Sequence, residues 1–349
     1  MRRLLPLAPA ACLALALTLA LPVACSSNPT AATTASSSSA TGAGGGAGGG
    51  AGTPGVCVSD RGTWDDLPPA LAADAGTYRT SLADCWTDAT CPRVMLVAHG
   101  GEWDGYHPYD SRGAFVHAVQ DGTDGIKGDF RVTKDNVGVV THSSPILGYE
   151  SLECAGRAIE EMTADEVTCC HLIGSMTQTF QRVTDLLGWA HGRTVVMLDV
   201  KNAPDLPRAI STGIEAGAQD DLFLEVHFAD YVKYAVGAPG WEKIHYLVWL
   251  DDPADADKLI AMNHPAQAFM VEMNPTSTGW DAAAMKDLIL NKLHPAGVRA
   301  FTSTPINNPT KADHQALFDE GFDVVMTYDL KTGLVVRKAV NAARSVSPP

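Results

Sequence analysis

What most constrains this chain is an alternation of strand-length apolar runs with helix-length segments, sustained over residues 94–327. The first run, Val94-Met95-Leu96-Val97-Ala98, ends in His99-Gly100-Gly101, and a second lies within residues 122–130. Six more follow at 194–200, 222–228, 244–250, 268–273, 298–303 and 322–327. Between the first two lies residues 112–120, with Ala114, Phe115, Ala118 and Val119 at helical spacing; 281–293 and 311–320 read the same way. Parallel strands need a crossover, normally a helix, to return the chain. Eight strand–helix units over about 250 residues predict a (β/α)8 TIM barrel, whose chemistry sits at the C-terminal ends of the strands. His99 stands at such an end, and His142 follows a further short apolar run, Val139-Val140.

Residues 1–25 read as a targeting segment: Arg2 and Arg3, a Leu/Ala-rich core, then Val23-Ala24-Cys25, which resembles a bacterial lipoprotein cleavage site with Cys25 as the lipidated residue. An ordinary secretory signal is the alternative. Residues 26–55, mostly Ser, Thr, Ala and Gly, lack the apolar surface to fold and read as a flexible tether. The barrel then occupies residues 56–349, with residues 151–189 as an insertion capping the mouth. This places the folded part outside the cytoplasm, anchored to a membrane through the N-terminal lipid or secreted, and we expect a monomer. A formal charge of −15 argues against nucleic acid as a partner.

Cys57, Cys85, Cys91, Cys154, Cys169 and Cys170 form an even set that suggests up to three disulfides in an exported protein, arranged around the site loops. Cys85 and Cys91 are close enough to staple a loop before the first strand, and the adjacent Cys169 and Cys170 are expected to bond different partners. Zinc is the alternative, but no Cys-x-x-Cys pair is present. A serine esterase is disfavoured because there is no Gly-x-Ser-x-Gly elbow.

The motifs His99-Gly100-Gly101, Pro108-Tyr109-Asp110-Ser111, Gly122 to Phe130, Val139 to Ser143, Leu198-Asp199-Val200-Lys201 and Gly321 to Asp329 resemble those of the glycerophosphodiester phosphodiesterase family, within the phospholipase-C-like phosphodiesterase barrels. The resemblance implies a phosphoric diester hydrolase acting on glycerophosphodiesters or (lyso)phospholipid head groups. It implies that His99 is nucleophile or general base and His142 general acid, or the reverse. In the family a divalent cation is held at positions that read Tyr109, Lys127, Asp129 and Asp199 here, so one ligand has become a cation.

Three readings follow. Lys127, with Lys201, replaces the metal and supports the phosphate, as basic side chains do in bacterial phosphatidylinositol-specific phospholipases C. Alternatively Mg2+ or Ca2+ binds through Asp129, Asp199 and neighbours such as Glu102 or Asp104; the Asp199-Val200-Lys201 sequence has a counterpart in phospholipase D toxins. In the third reading the barrel is catalytically inactive, a surface-anchored binding lipoprotein. Further strand-end candidates are Glu225, His227, Trp249, Asp251, Glu272 and Asn274, with Trp249 able to stack on an apolar substrate part.

Overall fold

A computed structural model of the chain describes residues 85–344 except 104–106, 176, 263–268, 273–280 and 306–307. The expected lipidation site Cys25, the leader, the tether, Cys57, Asp104 and Asn274 lie outside the described residues.

The alternating runs form a closed barrel. Its parallel strands are β1 (Met95–His99), β2 (Gly125–Val132), β5 (Val195–Val200), β6 (Leu222–His227), β7 (His245–Trp249), β8 (Phe269–Glu272), β9 (Arg299–Ser303) and β10 (Val324–Thr327). They pair in sequence order, and β1 closes the ring by pairing with both β2 and β10. Two short strands, β3 (Gly138–Val140) and β4 (Gln181–Arg182), extend β2 as an antiparallel flap. The longer helices are α1 (Arg112–Asp121), α2 (Val183–Ala190), α3 (Leu206–Glu215), α4 (Ala254–Ala261), α5 (Ala282–Leu288), α6 (Lys311–Glu320) and α7 (Leu330–Ala343). Local chemistry sets several of their ends. Ser111 caps α1 by accepting from Ala114 N–H, and Thr310 and Asp313 form a reciprocal capping box at α6.

Side chains alternate across each strand, so one parity faces the barrel axis and the other the helices. Leu96, Ala98, Ile126, Phe130, Val196, Leu198 and Leu224 pack with the helices in the larger core. Met95, Val97, Val195, Met197, Phe223, Leu247, Phe301, Val324 and Met326 fill the interior with Trp86. Trp86 is 1% exposed and packs on Phe223, which places it at the bottom of the barrel. The Cys85–Cys91 disulfide and the buried Arg299, whose guanidinium donates to Asp88 O at 2.7 Å and Arg93 O at 2.9 Å, hold this plug. This corrects the expected grouping of all cysteines around the site: Cys85–Cys91 closes the end opposite the mouth.

The second disulfide, Cys154–Cys170, does lie on the mouth side, and Cys169 is disulfide-bonded as well. Between β3 and β4 the chain forms irregular turns and a short helical turn, Ala164–Val167, around a satellite core of Val139, Ile146, Ile159, Met162, Val167, Leu172 and Phe180. Residues 183–189, expected within the insertion, are instead part of α2, whose Val183, Leu186, Leu187 and Trp189 join the main core as the crossover to β5.

Candidate active site

The interior parity that starts with apolar side chains ends with ionisable ones. On β1, Met95 and Val97 are followed by His99; on β2, Gly125 by Lys127 and Asp129; on β5, Val195 and Met197 by Asp199 and then Lys201. Register brings them level: His99 pairs with Lys127, Asp129 with Asp199, and Asp199 with Glu225. Glu225, His227 and Trp249 continue the ring on β6 and β7, and Tyr328 follows β10.

The charges interlock. Lys127 Nζ lies 3.1 Å from Asp199 Oδ2 and 3.3 Å from Glu225 Oε2, with its side chain 4% exposed. Lys201 Nζ lies 2.9 Å from Asp129 Oδ1 and 2.6 Å from Asp199 Oδ2. Burial alone would raise Asp199, but the two ammonium groups outweigh it and hold its carboxyl down at about 2. Glu225 goes the other way. Burial outweighs the Lys127 ammonium and pushes its carboxyl up to about 7, while its other oxygen accepts from Trp249 Nε1 at 2.8 Å. Asp110, fully buried and next to Asp129, is raised well above the carboxylate range by burial first and by Asp129 second. Its Oδ2 accepts from Asp129 N–H at 3.3 Å.

His99 is half-buried, and burial, followed by Lys127 and Lys201, depresses its imidazole well below its ordinary range. It is therefore neutral at neutral pH. Its Nδ1 is buried without a hydrogen-bond partner, so no acceptor stabilises an imidazolium there. Nε2 has two phenols beside it, Tyr109 Oη at 3.4 Å and Tyr328 Oη at 3.5 Å. Tyr109 Oη also donates to Asp129 Oδ2 at 3.1 Å.

Tyr109 reaches this point because Gly100 makes room for it. A Cβ on Gly100 would come within 2.0 Å of Tyr109 Cε2, and Gly100 has φ +67°. Asp110, at φ 57°, turns the chain so that Tyr109 lies over the mouth, fixed by Asp110 N–H donating to Gly100 O at 3.0 Å.

His142 is not at a barrel strand end, as the sequence suggested, but just beyond β3 on the flap. The loop is clamped: Glu150 Oε1 accepts from His142 N–H and Ser143 N–H, each at 3.1 Å, and Arg131 donates twice to His142 O. The ring is fixed through Nδ1, 3.1 Å from both Ser143 Oγ and Tyr149 Oη. Tyr109 neighbours both histidines, its ring centroid 5.3 Å from that of His99 and 6.2 Å from that of His142. A small pocket beside Tyr109 and His142 is walled by Leu172 and Phe180 of the insertion.

The other candidates separate. Glu102 turns away to pair with Lys331 at 2.8 Å. His227 stacks on Trp249, centroids 5.6 Å apart, and pairs with Asp251 at the exposed rim. The remaining donors do not fit a divalent cation. The positions that would hold one present a phenol, an ammonium and two carboxylates already bridged by Lys201, and no cluster of three potential ligands occurs among the described residues. Sequence reasoning missed the role of Glu150, Asp110, Tyr109 and Tyr328. Counting by two from Val324 and Met326 on β10 puts Tyr328 on the interior face, a signal that was available.

No protein-family model and no curated protein sequence matches the chain. Solved structures do. A glycerophosphoryl diester phosphodiesterase from Parabacteroides distasonis is 18% identical, over 77% of this chain and 93% of that one, with a TM-score of 0.60. A glycerophosphodiester phosphodiesterase from Agrobacterium tumefaciens is 18% identical over 69% and 99%, with a TM-score of 0.55. A phosphodiesterase from Oleispira antarctica, in complex with the product sn-glycerol-3-phosphate, is 15% identical over 72% and 99%, with a TM-score of 0.55.

Proposed function

The chain has the barrel fold of the glycerophosphodiester phosphodiesterases, and we propose that it is a phosphoric diester hydrolase acting on a small phosphodiester, a glycerophosphodiester or a (lyso)phospholipid head group. The observation that carries this reading is the pair of imidazoles, His99 and His142, that share Tyr109 as a neighbour at the barrel mouth. Hydrolysis of a diester needs a base for the attacking oxygen, an acid for the leaving oxygen and stabilisation of the phosphoryl oxygens. A neutral His99 with Nε2 facing the mouth suits the base: it takes the proton of the attacking water as the new P–O bond forms. His142, oriented through Nδ1, gives a proton from Nε2 to the alkoxide as the old P–O bond breaks. An alcohol and a phosphomonoester leave.

Lys127 and Lys201 supply positive charge near the phosphate, but each is shared with two carboxylates, so they act as a fixed, largely neutralised frame. No step is assigned to a metal, because the ammonium groups hold the carboxylates that would bind it. The disulfides fit an oxidising compartment outside the cytoplasm. Among the described residues no helix is long and apolar enough to cross a membrane. Attachment through a lipidated Cys25, as a monomer, is part of the proposal.

The test is hydrolysis of bis(p-nitrophenyl) phosphate, glycerophosphocholine and lysophosphatidylcholine, with and without a chelator. Turnover that resists the chelator and disappears in His99→Ala is the expected result. Absence of turnover on every diester would favour a binding protein instead, and abolition by chelator would restore the metal.

A further inference from the structure

The phosphate requires hydrogen-bond donors beside the nucleophile, and the cations of the site are already committed. Lys127 is shared between Asp199 and Glu225, and Lys201 between Asp129 and Asp199. The residue after the first histidine, Gly100, has no side chain to offer. What fills its space is the ring of Tyr109, which a Cβ at Gly100 would meet at 2.0 to 2.7 Å. The phenol thereby brings its hydroxyl to 3.4 Å from His99 Nε2. From the other side Tyr328, packed on the His99 ring with centroids 4.3 Å apart, brings a second hydroxyl to 3.5 Å from the same nitrogen.

The attacking water sits within about 2.6–3.2 Å of the Nε2 that takes its proton, and the phosphorus atom poised for reaction lies about 3–3.5 Å from that water. Its non-bridging oxygens then fall in the space beside Nε2 that these hydroxyls border. The geometry points to Tyr109 and Tyr328 as catalytic residues, a pair of neutral O–H donors that hold the non-bridging oxygens of the diester beside His99. This assignment rests on the phosphodiesterase reading above. On substrate binding the Tyr109 O–H rotates from Asp129 to the phosphoryl oxygen, and Asp129 keeps its ion pair with Lys201 at 2.9 Å. Tyr109 keeps its proton: burial, then Asp110 and Asp129, raises it well above the usual phenol range.

Removing one donor to a developing oxyanion lowers kcat by on the order of 10². In the full chain, Tyr109→Phe and Tyr328→Phe keep the rings that pack on His99 and delete only the hydroxyls. Each is expected to lower kcat on bis(p-nitrophenyl) phosphate by roughly 100-fold, with KM within about threefold. The decisive readout is the phosphorothioate analogue, in which one non-bridging oxygen becomes a poorly accepting sulfur. The wild-type chain should discriminate strongly between the two diesters, and the Phe variants should discriminate less. Equal losses on both diesters would make the tyrosines positioning residues and overturn the proposal, as would undiminished activity in both variants. Should the wild-type chain turn over no diester, the phosphodiesterase reading fails first. Calorimetric titration with inorganic phosphate then decides the donor role: binding weakened about tenfold or more in either variant supports it, and unchanged or absent binding ends it.

Discussion

Gly100→Ala tests whether the glycine after His99 is there to admit Tyr109. Two costs should appear. Gly100 has φ +67°, a left-handed conformation that costs a residue with a Cβ about 1–2 kcal/mol. The new methyl would also lie 2.0, 2.2 and 2.7 Å from three atoms of the Tyr109 ring, so the ring must move. Overpacking of this kind costs about 1–3 kcal/mol, for a total of about 2–5 kcal/mol. A double-mutant cycle separates the terms. In a Tyr109→Ala background only the backbone cost remains, so the same glycine substitution should cost about 1–2 kcal/mol there, a coupling of about 1–3 kcal/mol. The assay is denaturant unfolding of the four chains, read from midpoints at constant slope. Activity gives a second reading: a displaced Tyr109 leaves His99 and His142 in place but withdraws the hydroxyl. An equal cost of Gly100→Ala in both backgrounds would mean that Tyr109 does not occupy the glycine's space, and the account of the site built on it would fall.

Lys127→Met should be among the most damaging substitutions, at about 3 kcal/mol, because it leaves Glu225 without its buried counter-charge and Asp199 with Lys201 alone; adding Glu225→Gln should recover part of the loss in the same unfolding assay. Glu225 also makes stability depend on pH. Its folded carboxyl is raised to about 7 from an ordinary 4.5, so the folded chain holds a proton that the unfolded chain releases. That contribution is intact below 4.5 and is lost as pH rises through about 7. The stability of Glu225→Gln relative to wild type should therefore climb across this window, and a flat difference would show that Glu225 titrates normally. Opening the Cys154–Cys170 bridge, a separation of 16 residues, with a double alanine substitution should destabilise by about 3 kcal/mol. The loss should concentrate in hydrogen-exchange protection around Ile146, Met162 and Phe180 rather than in the barrel strands.

The barrel was legible because its signal is one-dimensional: an apolar run of five or six residues followed by a helical stripe, repeated, leaves few other ways to bury both. The strand-end residues were legible for the same reason, since parity carries Val97 to His99, Met197 to Asp199 and Phe223 to Glu225 without knowledge of partners. What parity does not contain is which atoms meet. Lys127 and Lys201 read as cations that support a phosphate, with Asp129 and Asp199 available to orient them, and the register of β2, β5 and β6 shows each ammonium shared between two carboxylates, Glu225 among them. His142 read as a strand-end residue because Val139-Val140 is apolar. Whether such a run joins the barrel or folds back on β2 is decided by a hairpin that leaves Gly138 opposite Val132, a pairing of distant backbone atoms. Gly100 and Tyr109 are the sharpest case. Taken alone, Gly100 is a residue with no side chain after the first histidine, and Tyr109 is a phenol at a position that holds a cation in the resembled family. Together they are complementary, because the absent side chain is the space in which the ring sits. The pair keeps the volume around the first histidine filled, and under the proposed function the hydroxyl it brings beside Nε2 is the donor to the phosphate.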